Sequence, residues 1–145
     1  MSEINASIVK VKDVLKENLR IPEYQRPYRW DTENVRQLLE DILTSKTFGK
    51  KQYRIGSVIL HDNSLDNTLD LVDGQQRVTT IFLIKKACLE EEILSCSLSY
   101  KHIDSFNNIK NNYAYIDSWL CENCKDDRAD YFKYINESCE FVQIV

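Results

Sequence analysis

The sequence predicts an α+β domain, and three observations carry that prediction. Val35, Leu38, Leu39 and Ile42 recur at i, i+3, i+4 and i+7, the period of one helix face. Tyr53–Asp62 and Thr68–Val72 are apolar, β-branched runs separated by turn-forming residues, as two successive strands would be. Gly74 then opens a segment over about 75–92 that is apolar on most sides (Val78, Ile81, Phe82, Leu83, Ile84), the pattern of a buried helix.

The remaining elements follow in chain order. Val11, Val14, Leu15 and Leu19 suggest one short helix within residues 7–20, leading into an extended Leu19–Tyr24. Pro22 and Pro27 bias Ile21 and Arg26 toward extended backbone. The helix at about 32–45 has Asp31 as its N-cap, with Glu33 in the first turn and Trp30 and Val35 at the hydrophobic-staple positions. A third helix is expected at about 103–120, with Ile103, Phe106, Ile109, Tyr113, Ile116 and Leu120 on its buried stripe. Cys139–Val145 reads as a final strand, and a sequence that stops there is expected to be the front of a longer protein.

Composition bounds the function. A chain of 145 residues, 43% hydrophobic and 29% charged, suits one globular domain with a real core. Met1–Ala6 has neither the basic nor the apolar part of a signal peptide, and Ile81–Ile84 is far too short to span a bilayer. Five cysteines, an odd count without an export signal, read as reduced thiols, so a soluble cytoplasmic protein with no membrane partner is expected. Net charge is −4, with 11 Lys and Arg against 8 Asp and Glu in residues 1–60, and 8 against 15 in residues 61–145. That balance favours a small anion held by a few arginines over independent duplex binding, which requires many neutralised phosphates. Arg29, Arg36, Lys46, Lys50 and Lys51 form the one candidate basic patch, and the plain reading of them as a solvated face is preferred.

Punctuation is scarce: three glycines and two prolines. Both prolines and Gly74 fall within two segments, Ile21–Trp30 and Asp73–Arg77, which the sequence singles out as the functional centre. Asp73-Gly74-Gln75-Gln76-Arg77 joins a strand to an apolar helix. Helix N-termini present unpaired N–H groups and partial positive charge, so they accept anions. Gly74 would let backbone approach a phosphate, and Arg77 offers a two-pronged donor. Gln75, Gln76, Thr79 and Thr80 add neutral donors. A cation at a helix N-terminus is locally unfavourable, which points to an anion there. Asp73 repels phosphate unless it caps the helix, accepts from a hydroxyl or from Arg26, or holds a divalent cation. A merely capped turn with a surface arginine is the plain alternative.

In Ile21–Trp30 three aromatics (Tyr24, Tyr28, Trp30) interleave with Arg26, Arg29 and Gln25. Aromatic faces beside guanidinium groups suit a nucleobase and its phosphates. The plain reading makes Trp30 the staple and Tyr24 and Tyr28 core; it is preferred for Trp30, and the functional one for Arg26.

The two segments, in this order, resemble the ParB/sulfiredoxin-like superfamily, and within it the N-terminal domain of GmrSD-type restriction endonucleases, named for the Asp-Gly-Gln-Gln-Arg motif. The resemblance covers Ile21–Trp30, the helix to Ile42, Ile55–Leu60 and Leu71–Thr80. It implies a ParB-like mixed sheet with packed helices. It also implies nucleoside-triphosphate binding and hydrolysis with Mg²⁺, coupled to a C-terminal nuclease that cuts DNA in phage defence. Asp73 and Arg77 would then be catalytic, with Asp73 also a metal ligand. Tyr24, Gln25, Arg26, Gly56, Ser57, Gly74, Gln75, Gln76, Thr79 and Thr80 would bind the nucleotide. Residues 1–145 would be that single nucleotide-binding domain, lacking the nuclease domain, so an isolated fragment could be inactive. A non-hydrolysing nucleotide sensor and a ParB-like DNA-binding switch remain as alternatives. Sulfiredoxin-like redox chemistry lacks a nucleophilic thiol in the turn, where Gln75 and Gln76 stand. Cys121-Glu122-Asn123-Cys124 is half a zinc signature, with Cys139 and His102 poorly spaced to complete it.

Overall fold

A computed structural model of the protein describes residues 5–17, 19–21, 27–63, 67–89 and 103–145. Among these residues five strands form one mixed sheet and five helices pack with it, so the α+β expectation holds. In chain order the elements are β1 (Ala6–Lys10), α1 (Val11–Leu15), β2 (Leu19–Arg20), α2 (Thr32–Thr47), β3 (Tyr53–Asn63) and β4 (Thr68–Asp73). Then come α3 (Gln75–Leu89), α4 (Ile103–Asn123), α5 (Arg128–Ser138) and β5 (Cys139–Ile144).

The sheet order is β1-β5-β3-β4-β2. β3 and β4 are antiparallel neighbours, as a turn between two successive strands requires. β5 returns parallel to β3, with β1 antiparallel on its outer side. β2 has two residues, and its parallel pairing with β4 is reinforced by a fork. Arg20 Nε and Nη2 donate to the two oxygens of Asp70, its register partner, at 2.8 and 3.0 Å. Asp70 is buried, and the fork gives its charge a partner that a buried carboxylate needs.

One core joins strands and helices. Val58, Leu60, Leu71 and Phe141 from the sheet pack in a cluster with Val35, Leu39, Ile81, Ile84, Ile116 and Ile135 from the helices. The α2 stripe is buried as its period requires, and α3 is buried on almost every side. Asp31 caps α2: its carboxylate accepts from Asn34 N–H at 2.9 Å, while Asn34 Oδ1 accepts from Asp31 N–H. This reciprocal box uses Asn where Glu or Gln is usual.

The structure departs from the sequence reading at three points. The short helix and the extended stretch from Leu19 are present as α1 and β2, but β1 before them was not expected: Ser7–Val9 pairs with β5, a partner remote in sequence. α5 was not expected; its 11 residues bury Tyr131, Phe132 and Ile135 but lack a side-chain N-cap to announce them. Phe106 is not core: it is exposed, with Lys110 Nζ 4.4 Å from its ring centroid. The buried line on α4 instead runs Ser105, Asn112, Ile116, Trp119 and Leu120, polar at its amino end. Helix α3 ends at Leu89 among the described residues, and the continuation expected to 92 lies outside them.

No helix among the described residues is long and apolar enough to cross a membrane.

Candidate functional site

The two motif segments meet at the carboxyl end of β4. Two sheet irregularities shape that corner. Ile59 pairs with Asp73 but Leu60 pairs with Leu71, so Val72 is the extra residue of a bulge immediately before the turn. Arg54 pairs with Glu140 but Gly56 with Phe141, so Ile55 is the extra residue of a second bulge on β3. Bulges bend a strand and re-aim its side chains, and they recur beside functional sites. On the amino side of Ile59, β3 extends past the carboxyl end of β4, and α3 begins alongside that overhang.

Two glycines let the overhang and the turn interlock. Gly74 has φ +92°, in the region that favours glycine, and a Cβ there would stand 2.7 Å from Ser57 O and 3.0 Å from Val58 Cγ1. Its smallness therefore serves the contact between turn and β3. In return, the Arg77 side chain crosses Gly56: a Cβ on Gly56 would lie 3.3 Å from Arg77 Cδ and 3.5 Å from Nε and Nη1. Past that strand, the Arg77 guanidinium carbon lies 5.7 Å from the centroid of the Trp30 ring, a cation–π distance.

Arg77 is exposed and has no carboxylate partner among the described residues. Four other cations among the described residues are paired: Arg20 with Asp70, Arg36 with Glu33 and Glu40, Lys46 with Asp130, and Arg128 with Asp117. Two of the five residues of the candidate basic patch, Arg36 and Lys46, are thus engaged within the protein. Asp73, also exposed, ends β4, with Gly74 between it and the helix.

The glutamines and threonines divide differently from the sequence reading. Gln76 is a clamp for the first segment: its Oε1 accepts from Arg29 N–H (2.8 Å) and Trp30 N–H (3.0 Å), and its Nε2 donates to Pro27 O (3.2 Å). Thr80 is fully buried, its hydroxyl 2.8 Å from Gln76 O and 2.7 Å from the Tyr28 hydroxyl. Gln75 and Thr79 are buried too. In this geometry the side chains of Gln76 and Thr80 hold protein together, and the outward-facing members of the motif are Asp73 and Arg77. Gly56 and Ser57 lie on the β3 overhang beside them.

Helix α4 supplies residues that the sequence reading did not single out. Ser105 Oγ accepts from Tyr28 N–H at 2.7 Å, and Asn108 Nδ2 donates to Tyr28 O at 2.9 Å. Asn112 Nδ2 donates to Trp30 O (2.8 Å) and to the Tyr28 hydroxyl (2.9 Å). Burial pushes the Tyr28 phenol above its ordinary pKa, partly opposed by the bonds to Thr80 and Asn112, so it stays neutral at pH 7. The signal was present: Ser105, Asn108 and Asn112 recur at i, i+3 and i+7, a polar stripe on a helix otherwise read by its apolar residues.

Tyr24, Gln25 and Arg26 lie outside the described residues. On one side of them β2 runs parallel to β4, and on the other Pro27 is bonded to Gln76, so both flanking stretches belong to this corner.

Elsewhere, a cavity of about 590 Å³ opens at the far end of α3, lined by Ala87, Cys88, Asp117 and Arg128 among others. It lies roughly 20 Å from Gln75 along a helix of this length, too far to share in the motif's chemistry. Burial pushes the Cys88 and Cys139 thiols up to about 12, so neither supplies a thiolate at neutral pH. Among the described residues no three His, Cys, Asp or Glu side chains gather as a metal cage.

Among known families, the model of the GmrSD restriction endonuclease N-terminal domain matches residues 11–145. No curated protein matches the chain.

Proposed function

We propose, since this chain belongs to the GmrSD restriction endonuclease family through its N-terminal domain, that its part in restriction is to bind and hydrolyse a nucleoside triphosphate. The observation that carries this reading is Arg77: an exposed guanidinium in the first turn of a helix, laid across Gly56 and over Trp30, without a carboxylate among the described residues. A cation in that position is opposed by the helix dipole and gains nothing from an ion pair. A phosphate seated over the helix start would reverse both terms, since the dipole and the guanidinium fork would then act on it together.

Mg²⁺ fits the same arrangement in one way. With no cage of three ligating side chains among the described residues, a cation here would be held by Asp73 and by the nucleotide's own phosphates, a common mode for Mg²⁺. The bound ion would supply charge neutralisation at the phosphates. The protein's own contribution is to fix Arg77 on Trp30 and Gly56. Nucleotide turnover would power or regulate a nuclease attached after this domain, and DNA would be contacted by the full-length protein.

Phosphate release by the full-length protein in Mg²⁺ tests the hydrolytic part. Wild type is expected to turn over, and Asp73→Ala to lose at least about 100-fold in rate, the scale of removing a group that stabilises transferring phosphate charge, while still binding nucleotide. Binding by both proteins with turnover by neither would replace hydrolysis with nucleotide sensing.

A further inference from the structure

The nucleotide site has a support that its motifs do not contain. The Pro27–Trp30 stretch has no strand or helix partner of its own, yet its backbone groups are bonded from two sides. Gln76 of α3 takes Pro27 O, Arg29 N–H and Trp30 N–H. Ser105, Asn108 and Asn112 of α4 take Tyr28 N–H, Tyr28 O and Trp30 O. Trp30 is therefore fixed at both its polar backbone atoms, by Gln76 at the nitrogen and by Asn112 at the oxygen.

We propose that Asn112 is a positioning residue of the nucleotide site, setting from α4 the place of the Trp30 ring on which Arg77 rests. The inference rests on the nucleotide reading above. Asn112 is 1% exposed, and both hydrogens of its amide nitrogen are used: one reaches Trp30 O, the other the Tyr28 hydroxyl. Its two acceptors belong to the segment that carries the ring, and at such burial each bond is strengthened by the low local dielectric. A carboxylate of the same shape would set an acceptor against the Trp30 carbonyl, which cannot donate, and release it, while the Tyr28 hydroxyl could turn to donate. The ring would then move away from the guanidinium, whose other rest is the bare backbone of Gly56. Helix α4 thereby becomes part of the phosphate grip, although it contains neither motif.

The test uses Asn112→Asp in the full chain, with two readouts. The first is the indole N–H resonance of Trp30 in nucleotide-free protein, told from that of Trp119 by its loss in Trp30→Phe. The second is the affinity for Mg·ATP and Mg·GTP. The expected result is a displaced Trp30 resonance, a retained fold and about a ten-fold loss of affinity, the scale of a lost buried hydrogen bond. A folded variant with the Trp30 resonance in place, or with wild-type affinity, overturns the proposal. If wild type binds neither nucleotide, the nucleotide reading fails instead, and the indole shift still decides whether Asn112 positions Trp30. Should Asn112→Asp not fold, Asn112→Ala, which leaves room for a water beside Tyr28, is read in its place against the same outcomes.

Discussion

Gly74→Ala is expected to lower the stability of the domain by about 3 kcal/mol. Two costs combine. An L-residue at φ +92° incurs about 1–2 kcal/mol of backbone strain. The added methyl would stand 2.7 Å from Ser57 O, a backbone atom of a strand paired with β5, and such overpacking adds about 1–3 kcal/mol. Gly49 is the internal control: it also has positive φ, at +71°, but nothing lies within 4 Å of its Cβ direction. Gly49→Ala should therefore lose only the backbone part. Urea midpoints of the two variants, at unchanged m-value, give the difference directly. Equal losses would mean that the contact between the turn and β3 has no weight.

Arg77→Ala is expected to weaken Mg·nucleotide binding by at least about 100-fold, which corresponds to about 2.7 kcal/mol, while leaving the fold intact. Binding and stability part company here because of where the residue stands. Its side chain is exposed, so little burial is lost. The cation over Trp30 contributes about 0.5–1 kcal/mol at an exposed site, and the unfavourable dipole term offsets a similar amount. The net change in stability should stay within about 0.5 kcal/mol. Arg77→Lys keeps the charge but not the fork, and a lysine lies differently over an aromatic face, so an intermediate loss of about ten-fold is expected. Wild-type affinity in Arg77→Ala, measured by titration calorimetry, would remove the anion site from the helix start.

Local signals in the sequence announced what local physics decides. Asp31 before an amphipathic run yielded α2, and the apolar span after Gly74 yielded α3, because capping and periodicity are written in neighbouring residues. β1 escaped because its partner is β5, more than a hundred residues away, and Ser7–Val9 have no alternation strong enough to declare a strand alone. The same limit governs the corner at β4. That Gly74 and Arg77 matter could be read from their types and spacing, and Gly56 from the family resemblance alone. That Gly74 yields to Ser57, and Gly56 to Arg77, follows only from the overhang of β3 past β4. Gln76 and Thr80, read as ligand donors from their place in a helix's first turns, turn inward because Tyr28 and its neighbours need partners there. Trp30, read as a staple, also carries the arginine. Its restraint by Asn112 links positions that no local pattern relates.

The most direct measurement is a titration of the ¹⁵N-labelled protein with Mg·ATP or Mg·GTP, followed at the backbone amides. A phosphate over the start of α3 should shift Gly74, Gln75, Gln76 and Arg77 most, with Gly56 and Ser57 next and Tyr24–Arg26 joining them. Amides of the turn that stay in place at saturating nucleotide, or a response confined to the distant cavity around Cys88 and Arg128, would contradict the account.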